Sequence, residues 1–217
     1  MMIYAHDIEH VENEVKKRLS ERRFEHTKCV AEVAEKLALA YSFEQKDVNR
    51  MIVAALCHDI TRELTSDEHE AILKKNHITV KDGFLRNTAL MHAKTGAIVA
   101  REIFGDIIDD EIYQAILSHT TARENMTVFM KILYLADYID NTRTYADCVA
   151  IRNFFWEGYV KLDKASKKQR EELLNTTIIQ CLKNTFKNLL DGSYCIDMET
   201  VKAYNYLIDE QRRNGNI

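Results

Sequence analysis

Proline is absent from all 217 residues of the chain, and glycine occurs only six times. Average usage would supply about 11 prolines and about 15 glycines. Sheet-rich folds consume both in their turns. Ala, Leu, Glu, Lys and Ile dominate instead, and most of these are good helix formers. The chain is therefore expected to be nearly all-α. Its apolar share of 46% is that of a soluble globular protein and is enough for a core, so disorder is excluded as the main state. The length fits one domain, or one domain with an appendage.

Punctuation is weak, so the helices are read from periodicity. A first amphipathic helix is expected over about 7–19, broken near Ser20. Val30, Val33, Ala34, Leu37 and Ala40 recur at spacings of three and four and predict a helix over about 22–41. A third covers about 44–61, with Met51, Ile52, Ala55 and Leu56 inside. Thr65 followed by Glu68 is a capping-box pattern that opens a short helix. Further helices are expected at about 88–104, ending before Gly105 as a C′ glycine, then at about 109–120 and 127–140. Two more over about 146–190 join near Leu162–Ser166, and a last one runs over about 198–212. The charged stretch 161–174 reads as a solvated helix face.

No run of 18 apolar residues is present, which argues against a membrane span. The N-terminus lacks a basic region followed by an apolar stretch, so no secretory signal is read there. Five cysteines without a C-x-x-C pattern read as reduced thiols of a cytoplasmic protein, with Cys29 and Cys57 in the core. A formal net charge of −4 gives no footprint for nucleic acid. An anionic substrate would need local positive charge.

Eight histidines are present. His6, His10, His69 and His77 lie in polar or charged stretches and are expected at the surface. His6-Asp7 is one of two adjacent His-Asp pairs and is given no role. The other pair, His58-Asp59, follows the apolar run MIVAALC, and Asp is rarely buried unless paired or coordinating a metal. His26 precedes the apolar face of its helix, and His119 ends EIYQAILSH. Asp137 interrupts ILYLADYI, where a carboxylate is costly without a compensating cation. His92 lies four residues before Gly96, and a glycine inside a helix suggests close packing or ligand approach. Taken together, His26, His58, Asp59, His92, His119 and Asp137 would come from five helices, as in a bundle that builds a metal site in its core. Imidazole with carboxylate suits Fe, Mn or Zn. Six ligands are too many for one catalytic metal with an open position and fit a two-metal site.

This order of residues resembles the HD-domain metal-dependent phosphohydrolases. The strings RRFEHTKCVAEVAEKLA, AALCHDITREL, LMHAKTGAIVA, ILSHTTARENMT, KILYLADYIDNTR, CLKNTF and AYNYLI are similar to the YqeK-type bacterial family, over roughly residues 14–207. The resemblance implies a single HD-domain helical bundle over 1–217. It also implies symmetrical bis(5′-nucleosyl)-tetraphosphatase activity: hydrolysis of diadenosine tetraphosphate to two ADP by a metal-bridging hydroxide. It places one ion on His26, His58, Asp59 and Asp137 and a second on His92 and His119, with Asp59 shared. The ions would be iron, with Mn or another divalent metal as alternatives. His58, Asp59 and Arg123 form the expected catalytic set. Arg62, Lys94, Arg123 and Arg143, which follow or flank the ligand motifs, are the expected phosphate-binding residues. The chain departs from the family at Ala122, where Gly is usual, at Glu124, where Pro is frequent, and in IDNTR, where Pro is usual. It also carries a charged insertion near 154–172.

The expected partner is the dinucleoside polyphosphate, with no nucleic acid and no membrane, and a homodimer is left open. Two other readings stay within reach of the same residues. One is an HD phosphohydrolase acting on a deoxynucleotide or a guanosine polyphosphate. The other is non-catalytic: a nucleotide-sensing domain, or a helical interaction protein docking through 161–174.

Overall fold

The computed structural model describes residues 2–79, 87–162 and 166–215. Among them are ten α-helices and one 3-10 turn, and no strand. The helices are α1 (Ala5–Lys16), α2 (Glu21–Ala40), α3 (Gln45–Cys57), α4 (Ser66–Lys75), α5 (Thr88–Phe104), α6 (Asp110–Ser118), α7 (Val128–Ile139), α8 (Ala146–Lys161), α9 (Lys167–Asp191) and α10 (Met198–Arg213), with the 3-10 turn Gly105–Ile107 after α5.

In a chain without proline, side-chain caps set where helices begin. Ser20, Thr65, Asn87, Asp109, Thr127, Ser166 and Asp197 each accept a backbone N–H from the first turn of the following helix. Such a cap stabilises a helix by about 1 kcal/mol. The expected capping box at Thr65 and Glu68 is present in both directions. Gly105 takes φ +53° where α5 stops, a conformation that favours glycine.

Helix α2 packs on α3 and α7, α3 on α6, and α6 between α5 and α7; α9 joins α8 and α10 to this group by lying on α7. Helix α7 is the most enclosed, with Ile132, Leu133, Leu135 and Ala136 all fully buried. That burial makes the carboxylate of Asp137, one turn on, conspicuous. Gly96 lets α5 approach closely: a Cβ there would lie 3.4 Å from the His58 carbonyl oxygen and 3.4 Å from Thr61 Oγ1. Packing, rather than ligand approach, accounts for this glycine.

Three expectations need correction. Helix α3 stops at Cys57, and residues 58–63 form turns. A continued helix would rotate successive side chains by about 100°; leaving it lets His58 and Asp59 face one centre. His69 is not at the surface but fully buried. It shares the inner face of α4 with Leu73, four residues on, and α4 lies against α5. Cys29 is only half-buried, whereas Cys57 is buried as expected. The expected insertion near 154–172 spans the end of α8 and the start of α9; residues 163–165 lie outside the described residues. Lys167 and Lys168 project into solvent, paired with Glu171 and Glu172 one turn on.

Candidate metal centre and its cleft

Each of the six expected ligands arrives by a different local device. His26 lies in the second turn of α2. His58 and His119 cap the C-termini of α3 and α6. Asp59 follows His58 in the turn. His92 and Asp137 point inward from α5 and α7. All six come to one place.

The histidine rings are fixed from behind. His58 Nδ1 lies 2.6 Å from the Ala55 carbonyl, His119 Nδ1 2.7 Å from that of Ile116, and His92 Nδ1 3.2 Å from that of Thr88. A carbonyl can only accept, so in these three rings the proton sits on Nδ1 and the Nε2 lone pair is free. This is how metal-binding histidines are oriented. His26 Nδ1 contacts Thr142 Oγ1 at 3.0 Å. The Nε2 atoms of His26 and His58 are buried without a hydrogen-bond partner among the described residues. Those of His92 and His119 face each other at 3.0 Å, a separation at which two lone pairs need something positive between them.

Asp59 divides the set. Its Oδ2 faces His58 Nε2 at 3.5 Å and His26 Nε2 at 3.7 Å. Its Oδ1 faces His92 Nε2 at 3.2 Å and His119 Nε2 at 3.9 Å. Asp137 Oδ1 completes the first group, 3.2 Å from His26 and 3.8 Å from His58. Donor atoms of His26, His58 and Asp59 lie within 4.8 Å of one another, as do those of Asp59, His92 and His119. Orphaned Nε2 atoms, fixed tautomers and a carboxylate with one oxygen turned to each group all fit a pair of cations.

The protonation states agree with this fit. Burial, with repulsion from His92 and His58, pulls His119 down to about 3, and burial lowers His58 as well. Both rings are neutral near pH 7. Burial alone would raise Asp59, but His58 and His92 outweigh it and hold it well below the usual carboxylate range. Burial works against charge on His26 too, yet Asp137 and Asp140 lift it to about 9. The proton there neutralises carboxylates that a metal ion would otherwise neutralise.

The centre forms the floor of a cleft of about 560 Å³. Arg22, Arg23, Arg62 and Arg143 line it, as does Tyr145. Arg23 donates to Asp59 Oδ2 at 2.9 Å, and Arg143 donates to the Asp137 carboxylate. Arg62 is half-buried and makes no side-chain ion pair among the described residues. Arg123 and Lys94 lie elsewhere, in a neighbouring groove of about 290 Å³ shared with Leu90 and Leu117, where Arg123 donates to Gln114.

Sequence reasoning missed Arg23, Asp140 and Tyr145. Arg23 lies three residues before His26, one helical turn on the same face, so spacing could have found it. Asp140 is fully buried at the end of α7, accepts from Thr142 N–H at 2.8 Å, and sits 3.4 Å from His26 Nδ1. The word Asp-Asn-Thr at 140–142 is an Asx-turn signal. Tyr145 carried no signal of its own.

A family model described as the HD domain matches residues 23–142. The chain is 33% identical to a symmetrical bis(5′-nucleosyl)-tetraphosphatase of Halalkalibacterium halodurans, over 91% of this chain and 95% of that one. It is 29% identical to the Bacillus subtilis protein of the same name, over 89% and 94%. A crystal structure from Clostridium acetobutylicum, described as a predicted HD superfamily hydrolase involved in NAD metabolism, superposes with a TM-score of 0.79 at 28% identity, covering 96% of this chain and 99% of that one. With matches of this extent and a two-sided Asp59 at its centre, the chain belongs to the HD-domain family and, within it, to the group of the symmetrical bis(5′-nucleosyl)-tetraphosphatases.

Proposed function

We propose that the chain hydrolyses dinucleoside tetraphosphates, diadenosine tetraphosphate foremost, symmetrically to two nucleoside diphosphates. The observation that carries the reading is Asp59, whose two oxygens face two separate groups of imidazole nitrogens at the floor of an arginine-rimmed cleft. His26, His58, Asp59 and Asp137 would hold one ion, and His92, His119 and Asp59 the other. Iron is our assignment, on the strength of the family resemblance; the mixed imidazole and carboxylate donors themselves suit Fe, Mn or Zn. Ions held there lower the pKa of bound water and polarise phosphoryl oxygens.

The chain's own residues do the rest. Water adds to one of the two inner phosphorus atoms, the bond from that atom to the central bridging oxygen breaks, and ADP leaves. Arg62, unpaired within the described residues, is the group best placed to take the negative charge that builds on the leaving phosphate. Arg23 and Arg143, which line the cleft, hold the carboxylates of Asp59 and Asp137 in place. His58 and Asp59 fix the reacting centre. Arg123 and Lys94, in the adjoining groove, are assigned to the outer part of the substrate. We read 1–217 as one domain, supported by the packing of α9 on α7, which joins α8–α10 to the region matched by the HD model. No helix among the described residues is long and apolar enough to cross a membrane.

The test is product analysis. Metal-analysed protein is incubated with diadenosine tetraphosphate and the products are separated by anion exchange. ADP as sole product, lost on chelation, is the expected result. ATP plus AMP would overturn the symmetry, and no turnover with both ions bound would shift the reading to another nucleotide.

A further inference from the structure

The rim of the cleft is charged, and its floor is a set of metal-binding donors. Neither offers a surface for the uncharged, flat part of a nucleotide. Tyr145 does. Among the described residues it is the one large apolar side chain that lines the cleft and remains strongly exposed, at 71%. Burying such a ring against a ligand recovers contact that the fold leaves unused.

Its position is also pre-set. Tyr145 is the N-cap of α8, with φ −61° and ψ 138°. The turn leading to it is clamped by Arg152, which donates to the carbonyls of Ile139 at 2.7 Å and Arg143 at 2.8 Å, and to that of Asp140. The same turn presents Arg143 to the centre. One clamped segment therefore brings to the cleft both a guanidinium tied to Asp137 and, two residues on, an aromatic ring. A π-face accepts any base by stacking.

Resting on the nucleotide reading above, we infer that Tyr145 is the platform on which a nucleobase of the substrate stacks, making it a binding residue for the nucleoside end and not for the phosphates. The experiment compares ADP with pyrophosphate, the same charged group without nucleoside, by calorimetric titration of the metal-loaded protein. Tyr145→Ala is expected to weaken ADP by about tenfold or more and to leave pyrophosphate unchanged. Tyr145→Phe, which keeps the ring, is expected to bind ADP as the parent does. In turnover the Ala variant should raise KM with kcat little changed. Equal weakening of both ligands would reduce Tyr145 to a structural role in the turn, and unchanged ADP binding would remove the platform altogether; either result overturns the inference. Because these titrations need no hydrolysis, they stand even if diadenosine tetraphosphate is not turned over, which would count against the function alone.

Discussion

At the scale of single residues, Asp59 has the largest consequence. It is 3% exposed, and its two oxygens face different groups of histidines. Asp59→Ala is expected to cut kcat by about a hundred- to a thousandfold or more, as when a pre-organised charge-stabilising group is lost, and to lower bound metal from two ions to at most one. Circular dichroism should show the helices intact; full activity in a folded variant would sink the two-metal reading. Ala122 makes a different kind of prediction. It is buried at φ +57°, where an L-residue costs about 1–2 kcal/mol, and removing its buried methyl costs about 0.8 kcal/mol. Ala122→Gly is therefore expected to stabilise the chain by up to about 1 kcal/mol, measured by urea unfolding; a lower midpoint would show that the methyl outweighs the strain. The family's usual glycine at this place has a backbone reason. The six candidate ligands were readable because each is a polar residue where an apolar one is due. Arg23, Asp140 and Tyr145 were not, because what matters in them is the neighbour supplied by another helix.

At the scale of elements, apolar periodicity located most of the helices and a capping box located α4, while α1 and α3 end three and four residues earlier than expected. His69 marks where that reading failed. Charged neighbours hid its place on the inner face of α4, which the three-and-four spacing to Ile72 and Leu73 would have revealed. Burial, aided by His92 and Arg62, pulls His69 down to about 4, with Thr95 Oγ1 at 2.8 Å from its Nδ1. The unfolded chain, near 6.5, binds a proton there that the folded chain refuses. The folded state thus keeps its full stability above about pH 6.5 and loses it as pH falls toward 4, by roughly 2–3 kcal/mol at most. His69→Leu should flatten this part of the profile when urea unfolding is compared at pH 7.5 and pH 5 with both proteins in the same metal state. An unchanged slope would place the titration elsewhere.

At the scale of the whole molecule, the candidate ligands come from five helices or the turns that end them, at widely separated points of the chain from His26 to Asp137. A ligand that binds only the folded state at a hundredfold excess over its Kd adds about 2.7 kcal/mol per site, and each kcal/mol moves Tm by about 2–4 °C in a chain of this size. Stripping both ions is expected to lower Tm by about 10 °C or more, restored on adding metal back. No shift in calorimetry would mean that the cluster holds no ion in solution.

The two halves of the centre are not equal. On the proposed assignment, one side offers His26, His58, Asp137 and one oxygen of Asp59, and the other His92, His119 and the remaining oxygen. Loss under scarcity should therefore be ordered, with the His92 side emptying first. A protein short of metal would then carry one ion on the His26 side and none on the other, a half-filled centre that a small rise in supply completes.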